Sequence, residues 1–252
     1  MAENKSSGSK NLTASQQKRK PTMIGLKYEP NGDGTCKLVG TGLFLEKEVM
    51  IPEEYKGMRV TEIGKQAFEY CEKITKIIIP KSVTIIGEKA FFRCADLTSV
   101  LILGGVTKIE DWAFYKCSSL KGIALSESVT SIGVSAFSEC RNLMDIVMPE
   151  SITSIGSGAC HGCAKLTNFV IPKHVTKIED HTFTNCNDLM SVTIPDGVTS
   201  IGDWTFKGCK NLRIIHYNGT VAQWESVAKG EFWKSDAPAR EVFCTDGTVS
   251  IR

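Results

Sequence analysis

An apolar residue opens the same short pattern seven times at a constant spacing of 23 residues: Val60, Val83, Val106, Val129, Ile152, Val175 and Val198. Nothing else in the chain restricts its fold so strongly. A fixed period in the twenties marks a stacked repeat array. One unit cannot bury its core face alone, and neighbours supply the missing contacts. Length then tracks the number of units rather than the number of globular domains.

The unit 83–105 shows how one layer is built. Val83, Ile86, Ala90, Phe91, Cys94, Leu97, Val100 and Ile102 are spaced to point inward, and similar residues recur at these eight positions in nearly every unit. Val100–Leu101–Ile102 has the short apolar character of a buried strand, with its first and third residues on one face. Its equivalents are Ile77–Ile79, Ile123–Leu125, Ile146–Met148, Phe169–Ile171, Val192–Ile194 and Ile215–Tyr217. With Val49–Ile51 they predict about eight strands, stacked about 4.8 Å apart in a parallel ladder. The Val-Thr-x-Ile segment is expected to form a second, shorter ladder. The Ala-Phe-x-x-Cys stretch is read as a turn or short helix that returns the chain. Pro80, Pro149, Pro172 and Pro195 end four strands, where a missing N–H does least harm. Gly follows the Val-Thr-x-Ile segment in five units, but Glu110 and Glu179 stand there in two, so the position does not demand positive φ.

Both ends depart from the period. Residues 1–22 are rich in Lys, Ser, Asn and Gln and are expected to be a disordered tail, with a basic cluster at Lys18–Arg19–Lys20. Residues 23–59 read as an N-terminal cap. Its hairpin turns at Asn31–Gly32 and Asp33–Gly34, and a half repeat follows at Val49–Pro52. Residues 60–217 hold the seven repeats, and residues 218–252 a C-terminal cap. In that cap Thr220 and Gln223 have capping-box spacing, predicting a helix to about Lys229 that Gly230 stops. Asp246–Gly247 predicts a closing hairpin.

The unit resembles the BspA-type leucine-rich repeat, Val-Thr-x-Ile-Gly-x-x-Ala-Phe-x-x-Cys-x-x-Leu-x-x-Ile-x-Ile-Pro, almost position for position over residues 60–217. Ile51–Pro52, Tyr55, Gly57 and Val60–Thr61 resemble the family's usual first unit. Tyr217–Asn218–Gly219–Thr220, Gln223–Trp224 and Cys244–Thr245–Asp246–Gly247 resemble its usual last one. The resemblance implies a leucine-rich repeat solenoid, β-rich with short helical turns, its parallel main sheet capped at both ends. It also implies a surface adhesion or protein-binding role, with a protein or cell-surface ligand as partner. The first twenty residues lack the apolar core of a signal peptide, which leaves a cytoplasmic scaffold or self-associating structural protein as the alternative. A net charge of +2 gives no reason to expect nucleic acid, and no apolar run reaches the roughly 20 residues that span a bilayer.

Residue clusters that resemble catalytic or metal sites have simpler explanations. Cys71, Cys94, Cys117, Cys140, Cys163, Cys186 and Cys209 occupy one repeat position, so they are expected to stack as a buried column of free thiols. Cys160–His161–Gly162–Cys163 looks like a redox or zinc motif, yet Cys160 stands where other units place Phe. A locally underpacked core is the expectation there, rather than a metal. The four histidines fall at unrelated positions. No catalytic set, phosphate loop, metal or cofactor site is expected, and the chain is read as non-enzymatic. Asn4, Asn11 and Asn218 begin acceptor triplets for glycosylation, a pattern that arises often by chance.

The outward strand positions carry the functional expectation. One column runs Lys76, Ser99, Gly122, Asp145, Asn168, Ser191 and Ile214 and varies in polarity. The next runs Ile78, Leu101, Ala124, Val147, Val170, Thr193 and His216 and is mostly apolar on a face that should be open. Exposed contiguous apolar surface marks partner sites, while β-branched residues also favour strands for their own sake. The candidate binding residues are therefore Lys76, Ile78, Ser99, Leu101, Ala124, Asp145, Val147, Asn168, Val170, Ser191 and Thr193. The seven Thr residues from Thr61 to Thr199 read as a ladder. Trp112 and Trp204 share a further outward position.

Overall fold

A computed structural model describes residues 25–42 and 46–251. The tail and basic cluster expected over residues 1–22 lie outside them. The chain winds as a stack of three-sided layers, and each side is held by its own hydrogen-bond ladder.

The first side is the main parallel sheet. Glu48–Met50, Lys76–Ile79, Ser99–Ile102, Gly122–Ala124 and Asp145–Val147 pair in that order. Asn168–Val170, Ser191–Ile194, Ile214–Tyr217 and Glu241–Phe243 form a second run, closed by antiparallel Thr248–Ser250. All eight expected strands are present, each within a residue of its expected place, and the C-terminal cap adds a ninth parallel strand. The inward residues of these strands are buried throughout, from Val49 to Val242.

The second side is the short Val-Thr-x-Ile ladder, represented by Ile85–Ile86, Lys108–Ile109, Ser131–Ile132 and Ser154–Ile155. Its threonines point outward and tie the layers together. Thr107 Oγ1 donates to the Thr84 carbonyl at 3.1 Å, and Thr130, Thr153 and Thr199 repeat the bond one layer on. Gly133 and Gly156 are here for want of space. A Cβ on Gly156 would lie 2.6 Å from the Val134 nitrogen. Glu110 takes the position in another layer, and its carboxylate accepts from the Glu88 N–H at 3.1 Å.

The third side is the Ala-Phe-x-x-Cys stretch, which is a turn and not a short helix. In the unit 83–105 the Lys89, Phe91 and Arg93 N–H groups donate to Asp111, Ala113 and Tyr115 of the next layer at 2.9, 2.7 and 2.7 Å. Alternate donors point along the stack because the backbone changes hand. Lys89 and Arg93 have φ of 55° and 58°, and the same two positions are left-handed in all seven units. Three of these fourteen residues are glycine, Gly158, Gly162 and Gly208. Stacking therefore overrides a cost of about 1–2 kcal/mol per non-glycine residue. A helix cannot form through two left-handed residues.

The caps follow the expected hairpins. Leu26–Pro30 pairs antiparallel with Thr35–Thr41, and Glu241–Phe243 with Thr248–Ser250. The C-terminal helix is shorter than expected. It spans Val221–Ser226 behind a complete Thr220–Gln223 capping box. Ala228–Lys229 then leaves it to join the second ladder against Ser200–Ile201. Gly230 is no helix stop. Its N–H donates to the Ile201 carbonyl, and a Cβ there would collide with Asp203.

The layer 152–174 interrupts two of the three ladders. Asp145–Val147 and Asn168–Val170 belong to different sheets, as do Ser154–Ile155 and Lys177–Ile178. The turn ladder runs on through it, with Gly158, Cys160 and Gly162 donating to Asp180, Thr182 and Thr184 at 2.8, 3.0 and 2.8 Å. This layer also has an exchange of bulk. Cys160 replaces the Phe that stacks in Phe68, Phe91, Phe114 and Phe137, and Phe169 replaces the Ile or Val of every other main strand. Phe169 packs edge-on against Phe183, centroids 4.7 Å apart. The underpacked core expected at Cys160 is thereby largely refilled from the sheet side. A separate void of about 10 Å³ is bordered by Ile155, Ile171 and Phe183, room for one water at most.

Candidate functional site

Strand register decides what the sheet exposes. Ile78 pairs with Leu101, Leu101 with Ala124, and Ala124 with Val147. Beyond the interruption Val170 pairs with Thr193, and Thr193 with His216. The second outward column is thus a physical row. Val147 and Val170 are 66% and 62% exposed and Leu101 is 43% exposed, while Ala124 is exposed and Ile78 and Thr193 are half-buried. Met144 and Met190, immediately before the strands Asp145–Val147 and Ser191–Ile194, add exposed apolar surface.

The first column forms the polar border of this row. Ser99, Asp145 and Asn168 are exposed and Lys76 and Ser191 half-buried. Ser191 Oγ donates to Asn168 Oδ1 at 2.6 Å, which fixes the amide's orientation. Lys76 lies 3.9 Å from Glu48, an exposed pair with little energetic weight. Where the sheet is interrupted a groove of about 610 Å³ opens, lined by Met144, Asp145, Lys165, Thr167, Asn168 and Asp188. Lys165 and Asp188 bridge its wall at 3.0 Å. All eleven residues expected from the sequence lie on this one outward face. The groove was not foreseeable, because it exists only where Asp145–Val147 and Asn168–Val170 fail to pair.

The cysteines are arranged for packing. All ten are free. From Cys94 to Cys209 the column is buried, and burial pushes every one of these thiols above its ordinary range. Cys163 is raised first by its contact with the Cys160 thiol. A protonated, enclosed thiol is a poor nucleophile and a poor metal ligand. No cluster of His, Cys, Asp and Glu suited to a metal ion occurs among the described residues. His161, between the two cysteines, points to the turn side. Burial lowers its pKa, and Glu139 opposes that shift.

The turn side carries aromatic residues that the 23-residue columns only partly reveal. Phe92 stacks on Tyr115 at 5.0 Å, and Tyr70 meets Phe92 edge-on at 5.7 Å from the neighbouring column. Tyr70 and Phe92 are 22 residues apart, so a search at the period misses the pair. No helix among the described residues is long and apolar enough to cross a membrane.

Residues 61–190 and 176–232 match the family described as BspA type leucine rich repeat region, in six copies. The chain is similar to the crystal structure of a T. pallidum leucine-rich repeat protein, at 30% identity and a TM-score of 0.72, covering 85% of this chain and 99% of that one. A leucine-rich repeat protein from Bacteroides ovatus is also 30% identical, with a TM-score of 0.76. That match covers 86% of this chain, which spans only 57% of the Bacteroides ovatus chain. A leucine-rich repeat protein from Eubacterium ventriosum shares the fold at 21% identity and a TM-score of 0.51, over 88% of this chain and 70% of that one. No curated protein matches the chain.

Proposed function

We propose a function from a plain premise: the chain belongs to the BspA-type leucine-rich repeat family. The reading is a non-enzymatic, adhesion-type module that binds a protein or cell-surface ligand through the outward face of its main sheet. One observation carries it. Leu101, Val147 and Val170 stay exposed along a row that is otherwise strand surface, beside a groove at the sheet interruption. Single exposed apolar residues need no explanation, whereas a contiguous row with a polar border has the composition of an interface. Burying Val147 and Val170 fully against a partner is worth about 1.5–3 kcal/mol each.

The test is a Val147→Glu, Val170→Glu double variant. Its thermal unfolding should match that of the parent, because both side chains are solvent-facing. Its retention of the partner captured by the parent chain should fall at least tenfold. Unchanged retention removes the sheet face from consideration.

A second reading is an intracellular scaffold or self-associating structural protein. It is favoured by the ten free thiols, which suit a reducing compartment. Surface labelling of intact host cells separates the two: labelled chain contradicts the scaffold, and chain labelled only after lysis contradicts the adhesin.

A further inference from the structure

The turn side carries a second site, remote from the sheet face. One column at the 23-residue spacing runs Lys89, Trp112, Ser135 and Gly158, and another runs Phe92, Tyr115, Ser138 and His161. Two layers of large side chains are thus followed by a layer with serine at both positions. The step leaves a notch of about 440 Å³ between Trp112 and Tyr115 on one side and His161 on the other. That size falls within the usual range of small-ligand sites.

The aromatic wall is backed by the layer before it. Phe92 stacks on Tyr115 from the preceding layer at 5.0 Å, and Lys89 lies 5.1 Å over Trp112. The next layer offers only Ser135 and Ser138 at these two positions, too short to continue the stack. Ser138 is 4% exposed at the floor of the notch, and no hydrogen bond engages its hydroxyl among the described residues. Glu139 borders the floor, and Arg141 holds its carboxylate at 2.8 Å.

Cations ring this wall. Arg93 lies over Tyr70 and Phe92, at 5.6 and 5.7 Å, and Lys116 lies over Tyr115 at 5.3 Å. Among the described residues neither is paired with a carboxylate. The aromatic faces hold them in place without neutralising them. A second groove of about 330 Å³, lined by Glu72, Arg93, Lys116 and Arg141, adjoins the notch across Glu139.

We propose that the notch and the adjoining groove together bind an acidic saccharide, with a sugar ring against Tyr115 and Trp112 and hydroxyls on Ser135 and Ser138 in the notch, and a carboxylate or sulfate on Arg93 and Lys116 in the groove. A flat aromatic face offers apolar area to one side of a sugar ring, and charge-assisted bonds hold its acid group. A cationic ligand is disfavoured, because Arg93 and Lys116 stand beside the wall and the notch's own carboxylate, Glu139, is held by Arg141. An acidic peptide satisfies the cations but brings no ring that needs two aromatic faces and two hydroxyls.

The test uses the full chain with hyaluronan and chondroitin sulfate oligosaccharides, a neutral chito-oligosaccharide and poly-glutamate as probes, followed by calorimetry. One or both acidic saccharides should bind. Hyaluronan binding assigns the carboxylate as sufficient, and binding of chondroitin sulfate alone assigns the sulfate. Tyr115→Ser and the Arg93→Gln, Lys116→Gln pair should each weaken binding about tenfold. Ser138→Phe extends the Phe92–Tyr115 stack as native layers do, so it should block the site while leaving the fold's thermal transition in place. The Val147→Glu, Val170→Glu variant should bind saccharide normally, which separates this site from the sheet face. No binding of either acidic probe, undiminished binding by Ser138→Phe, or tighter binding of poly-glutamate or the neutral probe overturns the proposal.

Discussion

The Cys140 thiol donates to the Phe114 carbonyl oxygen, 26 residues earlier, at 3.1 Å. The same bond recurs from Cys94 to Phe68, Cys117 to Phe91, Cys163 to Phe137, Cys186 to Cys160 and Cys209 to Phe183, at 3.0 to 3.2 Å. A thiol at this position therefore fills the column and also ties its layer to the one before. Cys140→Ala removes both. It should lower stability by about 1–2 kcal/mol in urea unfolding, and a loss near zero would mean that the column is only filler.

Alkali should unfold the chain through the same column. Burial raises these thiols in the folded state, Cys209 to about 12 from an ordinary 9.0. Below pH 9 both folded and unfolded thiols are protonated, and their contribution to stability is fully present. Above pH 9 the unfolded chain loses protons that the folded chain keeps, so stability falls as pH rises toward the folded value. Each such thiol contributes a slope of about 1.4 kcal/mol per pH unit. Urea midpoints at pH 8 and pH 10 should diverge less in Cys209→Ala than in the parent, and equal divergence would contradict this assignment.

Cys160 and Phe169 should behave as a coupled pair. Cys160→Phe alone crowds a layer that already holds Phe169, at a cost of about 1–3 kcal/mol. Phe169→Val alone leaves a cavity beside Phe183, at a cost of about 2–4 kcal/mol. Together they restore the layer pattern of the other units. The double variant should cost at least about 1 kcal/mol less than the sum of the singles. Additive losses would show that the two positions do not exchange volume.

The left-handed turn positions give a paired prediction of opposite sign. Gln66 is exposed with φ of 58°, so Gln66→Gly should raise stability by about 0.5–1 kcal/mol. Gly208 has φ of 71°, and a Cβ there would collide with the Asn185 side chain. Gly208→Ala should lower stability by about 1–2 kcal/mol. Thermal melts of the two variants should move in opposite directions.

Hydrogen exchange should map the interrupted layer. The Thr153 and Thr199 N–H groups donate to Thr130 and Thr176 at 2.9 Å each. Among the described residues no such bond joins Thr176 to Thr153. The Thr176 amide should exchange faster than those of Thr153 and Thr199, while Gly158, Cys160 and Gly162 stay protected by the turn ladder. Uniform protection across the three threonines would mean that the second ladder is continuous in solution.

The readable part of this structure follows from the period. Once Val60 and its equivalents set the layers, the inward set, the cysteine column and the exposed row through Val147 and Val170 follow from the period and strand alternation, and both hairpins follow from their Gly-containing turns. The turn ladder was hidden because left-handed residues such as Lys89, Arg93 and Glu139 carry no signature of that conformation. Stacking imposes it on them. The cap helix ends early because Ala228 and Lys229 gain a ladder against Ser200 and Ile201, a contact made across 28 residues. The sheet interruption was hidden for a different reason. Cys160 and Phe169 are each ordinary core residues, and their exchange of bulk happens through space within one layer.

That interrupted layer makes the array's stiffness uneven. At the step between Val147 and Val170 the main sheet is broken while the second ladder and the turn ladder hold, so bending there opens the sheet side between these two residues. These are also the two most exposed large apolar residues on the sheet face. A partner that spans both therefore selects a curvature as well as a surface, and its affinity depends on how readily the two halves of the solenoid flex at residues 152–174.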